Sequence, residues 1–151
     1  MKRILLFLSS FLLIFVILYN ILPTYHSYSE FVEEISSDIP STTCKYSLFI
    51  LLSSDNCSSC VNRELDFIGE IDKKFNDSIH INIVSNIKIR KKRFKLNNQY
   101  KYFEIVEKYN INTPLRILVN NITGQILDIS IPVNSMDEEL GYINFLNKLS
   151  L

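Results

Sequence analysis

The residues best suited to chemistry in this chain are Cys57 and Cys60, three apart in the segment SSDNCSSC. A Cys-x-x-Cys pair can hold part of a zinc site, staple a loop, or cycle between dithiol and disulfide. A structural zinc site takes about four ligands. Here the other soft candidates are Cys44, His26 and His80, and neither histidine stands at ligand-like spacing. A staple across two intervening residues closes so short a loop that it removes little chain entropy from the unfolded state. Redox cycling needs a stabilised thiolate, and the amino end of a helix supplies it through unpaired N–H groups and the macrodipole. The choice among the three rests on what positions the pair.

Upstream, YSLFILLS (46–53) is an apolar run of strand length bounded by Ser, Asp and Asn. It reads as a central strand buried on both faces. From Cys57 the period changes, with Val61, Leu65, Ile68, Ile71 and Phe75 recurring at helical spacing. The pair therefore stands where a strand passes into a helix. IHINIVS (79–85) predicts a second strand, and Phe103, Val106 and Tyr109 predict a helix over 99–110. Two further strands, 115–119 and 125–131, flank Asn120-Asn121-Ile122-Thr123-Gly124, whose residues tolerate positive φ. A capping box at Ser135–Glu138 opens a last helix, with Met136, Leu140, Ile143, Leu146 and Leu149 as its expected buried face. No internal repeat is present. The order is β-α-β-α-β-β-α.

That order, with Cys-x-x-Cys where the first strand meets its helix and Thr113-Pro114 ahead of the third strand, resembles the thioredoxin superfamily. EIVEKYNINTPLRILVNNITGQIL is similar to the stretch that carries the family's cis-proline and hairpin. The resemblance spans roughly 45–150 and is nearest to the membrane-anchored extracytoplasmic branch, the TlpA and ResA type. It implies a thioredoxin-like fold with a central mixed sheet, no cofactor, and protein thiols or disulfides as substrates. It also implies that Cys57 is the attacking thiol, Cys60 the resolving thiol, and Pro114 a cis-proline with Thr113 facing the pair, together offering a substrate-binding edge. The chain departs from the family at Asn56, where an aromatic residue usually stands. It departs again at the Ser58-Ser59 spacer, and in lacking an evident buried acid in strand 46–53. Asp55 and Asn56 are the expected modulators. No Lys, Arg or His flanks the pair until Arg63, so the Asp55 carboxylate opposes the thiolate and predicts a reducing poise.

The amino terminus is a separate object. After Lys2 and Arg3, residues 4–22 carry no charge and end at Pro23. As a helix they rise about 28 Å, close to the roughly 30 Å of a hydrocarbon core. This stretch is longer than a secretory apolar region, although Ser27-Tyr28-Ser29 offers a small-x-small cleavage site. The expected organisation is a signal anchor and single transmembrane helix over 1–22, a tether with one weak helical turn (SEFVEEI) over 23–44, and the thioredoxin-like domain over 45–151. Lys2 and Arg3 before the span, with no further basic residue until Lys45, put the domain outside the cytoplasm. The expected location is a bacterial cytoplasmic membrane with the domain facing the periplasm or exterior, where disulfides persist.

The 151 residues carry 16 basic and 16 acidic side chains, and 14 against 16 once Lys2 and Arg3 are set aside. That balance gives no sign of nucleic-acid binding, and nothing points to a metal. Lys88, Arg90, Lys91, Lys92, Arg93 and Lys95 form a basic run, read as a solvated face or as a patch for anionic lipid or an acidic partner. Cys44 makes the count odd and reads as a partly buried thiol outside the pair, with a regulatory or intermolecular disulfide as the alternative. Two functions follow. One is a membrane-anchored thiol–disulfide oxidoreductase drawing on a membrane or extracytoplasmic electron-transfer partner. The other is a non-catalytic thioredoxin-like binding module.

Overall fold

A computed structural model describes residues 28–37, 42–75, 77–87, 95–97 (backbone), 104, 106–132 and 135–149. The expected anchor over 4–22 and most of the basic run 88–95 lie outside these residues. No helix among the described residues is long and apolar enough to cross a membrane. The chain divides into two compact units, Met1–Asp38 and Ile39–Leu151. In the first, SEFVEEI lies within a helix over 28–37, α1, longer than the single turn its short apolar pattern predicts. Phe31, Val32 and Ile35, at one- and three-residue steps, are its buried residues.

The second unit is built on a five-stranded sheet in the order β3-β2-β1-β4-β5. Strand β1 (Tyr46–Leu52) is the apolar run, and all seven of its residues are buried. It pairs in parallel with β2 (Ile79–Ser85) and antiparallel with β4 (Leu115–Asn120). Strand β5 (Ile126–Ser130) runs antiparallel to β4 at one edge. The remaining edge is β3 (Lys95–Asn97), three residues parallel to β2. This strand is absent from the expected order. Its three residues alternate polar and apolar over too short a run to stand out inside the basic segment, and pairing with β2 defines it.

Helix α2 (Ser58–Phe75) makes the crossover between β1 and β2. Its stripe of Val61, Leu65, Ile68, Ile71 and Phe75 packs on Leu48, Ile50 and Leu52 of β1 and on Ile81 and Ile83 of β2. The predicted second helix is helical at 104 and over 106–109. Asn110 ends it at φ 50°, with the Ile111 N–H donating to the Val106 carbonyl at 3.1 Å. This is a left-handed cap that turns the chain sharply toward Thr113.

Between β4 and β5 the chain turns as its composition predicts. The Asn120 Oδ1 accepts from the Ile122 and Thr123 N–H groups at 2.9 and 3.3 Å, and Gly124 takes φ 68°. Helix α3 (Met136–Leu149) begins at Ser135, whose hydroxyl accepts from the Glu138 N–H at 3.2 Å. Its carboxyl half docks as expected, with Leu146 fully buried and Ile143 and Leu149 against the core. The amino half does not. Met136 is 74% exposed and Leu140 54% exposed, which corrects the expected five-residue buried face. Helical spacing identifies an apolar stripe, but only the sheet's extent decides how much of it finds a partner.

Candidate functional site

Cys57 ends the turn that leaves β1 and is the residue before helix α2. Its carbonyl accepts the first helical bond, from the Val61 N–H at 3.0 Å. Its Sγ accepts from the Cys60 N–H at 3.1 Å, where a capping Ser or Asp oxygen usually sits. The sulfur thus lies on the helix N–H groups that favour negative charge. Ser59 Oγ approaches the same sulfur at 3.4 Å. Both partners are neutral. Cys57 and Cys60 form a disulfide with their Cα atoms 5.2 Å apart. Cys57 is exposed and Cys60 half-buried, an asymmetry that leaves one sulfur open to a partner and the other behind it.

Asn56 joins this turn to the Thr113–Pro114 loop. Its Oδ1 accepts from the Ser53 N–H at 2.8 Å, and its Nδ2 donates to the Thr113 carbonyl at 3.0 Å and hydroxyl at 3.3 Å. The Thr113–Pro114 peptide bond is cis. Ser54 and Asn86 exchange two hydrogen bonds, the Ser54 N–H to Asn86 Oδ1 at 2.7 Å and Asn86 Nδ2 to Ser54 Oγ at 3.2 Å. These bonds fasten the turn to the end of β2. Asp55 is exposed, and Ser53 Oγ donates to its Oδ2 at 3.4 Å. A cleft of about 480 Å³ opens beside the turn, lined by Asp55, Asn56, Asn86, Glu107, Ile111 and Thr113 among others.

The structure therefore gathers the expected residues into one place. Asp55, Asn56 and Cys57 share the turn, Cys60 lies one helical turn on, and Asn56 draws in Thr113 and Pro114. The manner was not legible in sequence. Asn56, expected to modulate the pair, acts as a clip between two loops. Substituting Asn56 with Ala leaves the Ser53 N–H and the Thr113 carbonyl without these partners. The expected loss is about 1–2 kcal/mol of stability, read as a lower urea midpoint at unchanged m. No change in midpoint overturns the clip.

Cys44 is half-buried and stays outside the disulfide, and Asn121 Nδ2 donates to its carbonyl at 2.8 Å. What sequence reasoning missed is a buried acid. Glu64, one turn beyond Cys60 on α2, is 4% exposed, and Arg116 of β4 is 6% exposed. Arg116 Nε donates to Glu64 Oε1 at 2.6 Å and its Nη2 donates to Glu64 Oε2, a bidentate pair. The guanidinium carbon also lies 4.4 Å from the Phe67 ring centroid and 5.1 Å from that of Tyr142. The signal was present in LRILV, where one arginine interrupts an otherwise apolar run. An arginine buried there needs a buried counter-charge.

Several solved structures are similar to part of this chain. A thiol:disulfide interchange protein from a Bacteroides species matches with a TM-score of 0.51 at 21% identity, covering 69% of this chain and 74% of that one. The thioredoxin domain of a thiol-disulfide oxidoreductase from Bacteroides vulgatus gives 0.49 at 20% identity, covering 70% and 79%. StoA from Bacillus subtilis gives 0.47 at 18%, covering 65% and 82%. No family model matches the sequence, and no curated protein matches it. The first of these likenesses is one of fold: the chain has a thioredoxin-like fold, and it carries a Cys-x-x-Cys disulfide at the amino end of its crossover helix.

Proposed function

We propose that the protein is a membrane-anchored thiol–disulfide oxidoreductase that reduces disulfides of exported proteins. The carrying observation is the exposed Cys57 sulfur on the first N–H groups of α2, with Cys60 bridged behind it. A binding module has no use for an accessible dithiol in that position.

In the reduced protein the Cys57 thiolate attacks one sulfur of a substrate disulfide. The substrate S–S bond breaks, a mixed disulfide forms, and the first substrate thiolate leaves and takes a proton. The Cys60 thiolate then attacks the Cys57 sulfur, re-forming the Cys57–Cys60 disulfide and releasing the second substrate thiol. Two electrons pass to the substrate, and an electron-transfer partner returns them. Thr113 borders the cleft, an extended substrate segment lies along the Thr113–Pro114 edge, and Asp55 and Asn56 tune the turn.

The reducing direction is supported by the neutral partners of Cys57 Sγ, Ser59 Oγ and the Cys60 N–H. Neutral donors stabilise a thiolate less than a cation would, so the reduced form is less favoured and the potential lower. Equilibrating the full-length protein in thiol–disulfide buffers, with alkylation of Cys57 and Cys60 as readout, tests this. The expected result is a reversible two-electron couple nearer to about −270 mV than to the roughly −120 mV of a strong oxidant. A value near the latter overturns the direction, and an inert pair overturns the enzyme.

Anchoring rests on the uncharged stretch 4–22 behind Lys2 and Arg3. With the three native cysteines changed to Ser, a Ser29→Cys substitution is expected to react with a membrane-impermeant maleimide in intact cells. Labelling only after lysis overturns the orientation.

A further inference from the structure

The cleft beside the Cys57 turn has a one-sided charge. Asp55 lines it from the turn and Glu107 from the helical stretch 106–109, and its wall holds no Lys, Arg or His. Both acidic residues are exposed, so a group entering the cleft can reach them. Neither carboxylate forms an ion pair among the described residues. Asp55 Oδ2 accepts one long bond, from the Ser53 hydroxyl at 3.4 Å. Lys108, next to Glu107 in the chain, stands outside the wall, with its Nζ 4.9 Å from the Tyr109 ring centroid.

The rest of the wall is neutral, and it is held in place without a substrate. Asn56 ties the turn to Thr113, and Asn86 exchanges two hydrogen bonds with Ser54. A cleft fixed in this way binds a chain without first having to order its own walls. Val106, half-buried, adds apolar surface, and the Asn56, Asn86 and Asn112 amides add polar surface.

Two exposed carboxylates by themselves would be ordinary surface. Their place beside the reactive sulfur gives them an occupant. Asp55 stands two residues before the exposed Cys57, and an extended chain advances about 3.3–3.6 Å per residue. A substrate joined to Cys57 through its own cysteine therefore brings a residue about two positions away level with Asp55. At about 480 Å³ the cleft has room for a long side chain. A lysine or arginine suits it, with the alkyl stem along Val106 and the charged head at the carboxylates. An acidic residue there would meet two like charges.

Resting on the oxidoreductase reading, we propose that the cleft selects substrates carrying Lys or Arg about two residues from the reactive cysteine, with Asp55 and Glu107 as the residues that read that charge. The selection acts on which disulfide is attacked and leaves the exchange chemistry unchanged.

The probe is an acetylated, amidated Lys-Ala-Cys-Ala-Lys peptide whose cysteine is capped as a 2-thiopyridyl disulfide, with norleucine and glutamate analogues at both Lys positions. Lys on both sides makes the test independent of chain direction. Reduced full-length protein is mixed with each peptide. The Cys57 thiolate attacks the peptide sulfur, the S–S bond breaks and pyridine-2-thione leaves, so its absorbance gives the rate. Each rate is divided by that of 2-mercaptoethanol with the same peptide, which removes differences in the peptides' own reactivity. At low ionic strength the lysine peptide is expected to react about 5-fold faster than the norleucine peptide, and the glutamate peptide slowest. Salt at about 1 M, where charges are screened beyond roughly 3 Å, is expected to erase the preference.

Asp55→Asn and Glu107→Gln are each expected to lower the lysine-to-norleucine ratio, and the double variant to bring it to about 1. A changed Cys57 reactivity moves all three peptides alike, whereas the cleft charge moves the ratio. A ratio untouched by the double variant overturns the assignment to these residues. Equal rates for the three peptides overturn the selection, whether the carboxylates are idle or are neutralised by the chain's own basic run, which starts at Lys88, two residues past Asn86. Reaction with none of the peptides overturns the oxidoreductase reading, and the selection with it.

Discussion

Cys60→Ala protein recovered from cells is expected to carry covalently attached partners that dithiothreitol releases, whereas Cys57→Ala protein carries none. The reason is access followed by proximity. Cys57 is exposed and its sulfur sits on the Cys60 N–H at the start of α2, so it is the sulfur a substrate disulfide meets. Once the mixed disulfide forms, the Cys60 thiol resolves it within the molecule. Well-oriented intramolecular reactions of this kind reach effective concentrations of about 10⁵ M or more. Without Cys60, resolution waits for an external thiol at millimolar concentration or less, and the adduct persists long enough to isolate. Disulfide-reductase activity is expected to fall to background in both variants. Equal trapping by the two would reverse or dissolve the assigned roles.

The largest effect on stability is expected at Arg116. Replacing it with Ala leaves the Glu64 carboxylate in a site where it is 4% exposed, with its two guanidinium hydrogen bonds gone. Breaking a buried pair by removing one partner costs about 3–5 kcal/mol, a large share of a typical domain's stability. Lysine is not expected to rescue, because a point ammonium cannot make the bidentate contact or lie flat against Phe67 and Tyr142. Replacing both residues, Glu64→Leu with Arg116→Met, is expected to recover most of the loss, since neither charge is then buried. Urea unfolding of the wild type, Arg116→Ala, Arg116→Lys and the double variant measures these losses. A loss under about 1 kcal/mol for Arg116→Ala would mean that water reaches Glu64, as it does at exposed ion pairs.

Much of the fold was legible because its signals are local. β1 announced itself as an unbroken apolar run, and a strand buried on both faces must be one. The β4–β5 turn was written in Asn120 and Gly124, whose side chains and φ preferences act within five residues. α2 showed its stripe at helical spacing, and the cysteine pair showed its place at the seam. β3 was not legible, because three residues paired to β2 depend on a neighbour distant in sequence. Nor was the partial docking of α3. Its apolar positions are evenly spaced, yet the sheet offers a partner only to the carboxyl half, leaving Met136 and Leu140 in solvent.

By itself the sequence determined the element types, the position of Cys57 and Cys60 at a helix start, and the turn that returns the chain along β4. These follow from periodicity, capping and turn chemistry, which act over a few residues. The tertiary structure alone decided which residues complete each site. Asn56 reaches Thr113 across 57 positions, and Arg116 reaches Glu64 across 52. Tyr142 shares a cavity with Asp128 and Ser130 because α3 folds back over the edge of the sheet. Such pairings are set by the register of β1 with β4 and of β4 with β5. Register is fixed by burying whole faces at once, a sum over the sheet that no short stretch of residues contains.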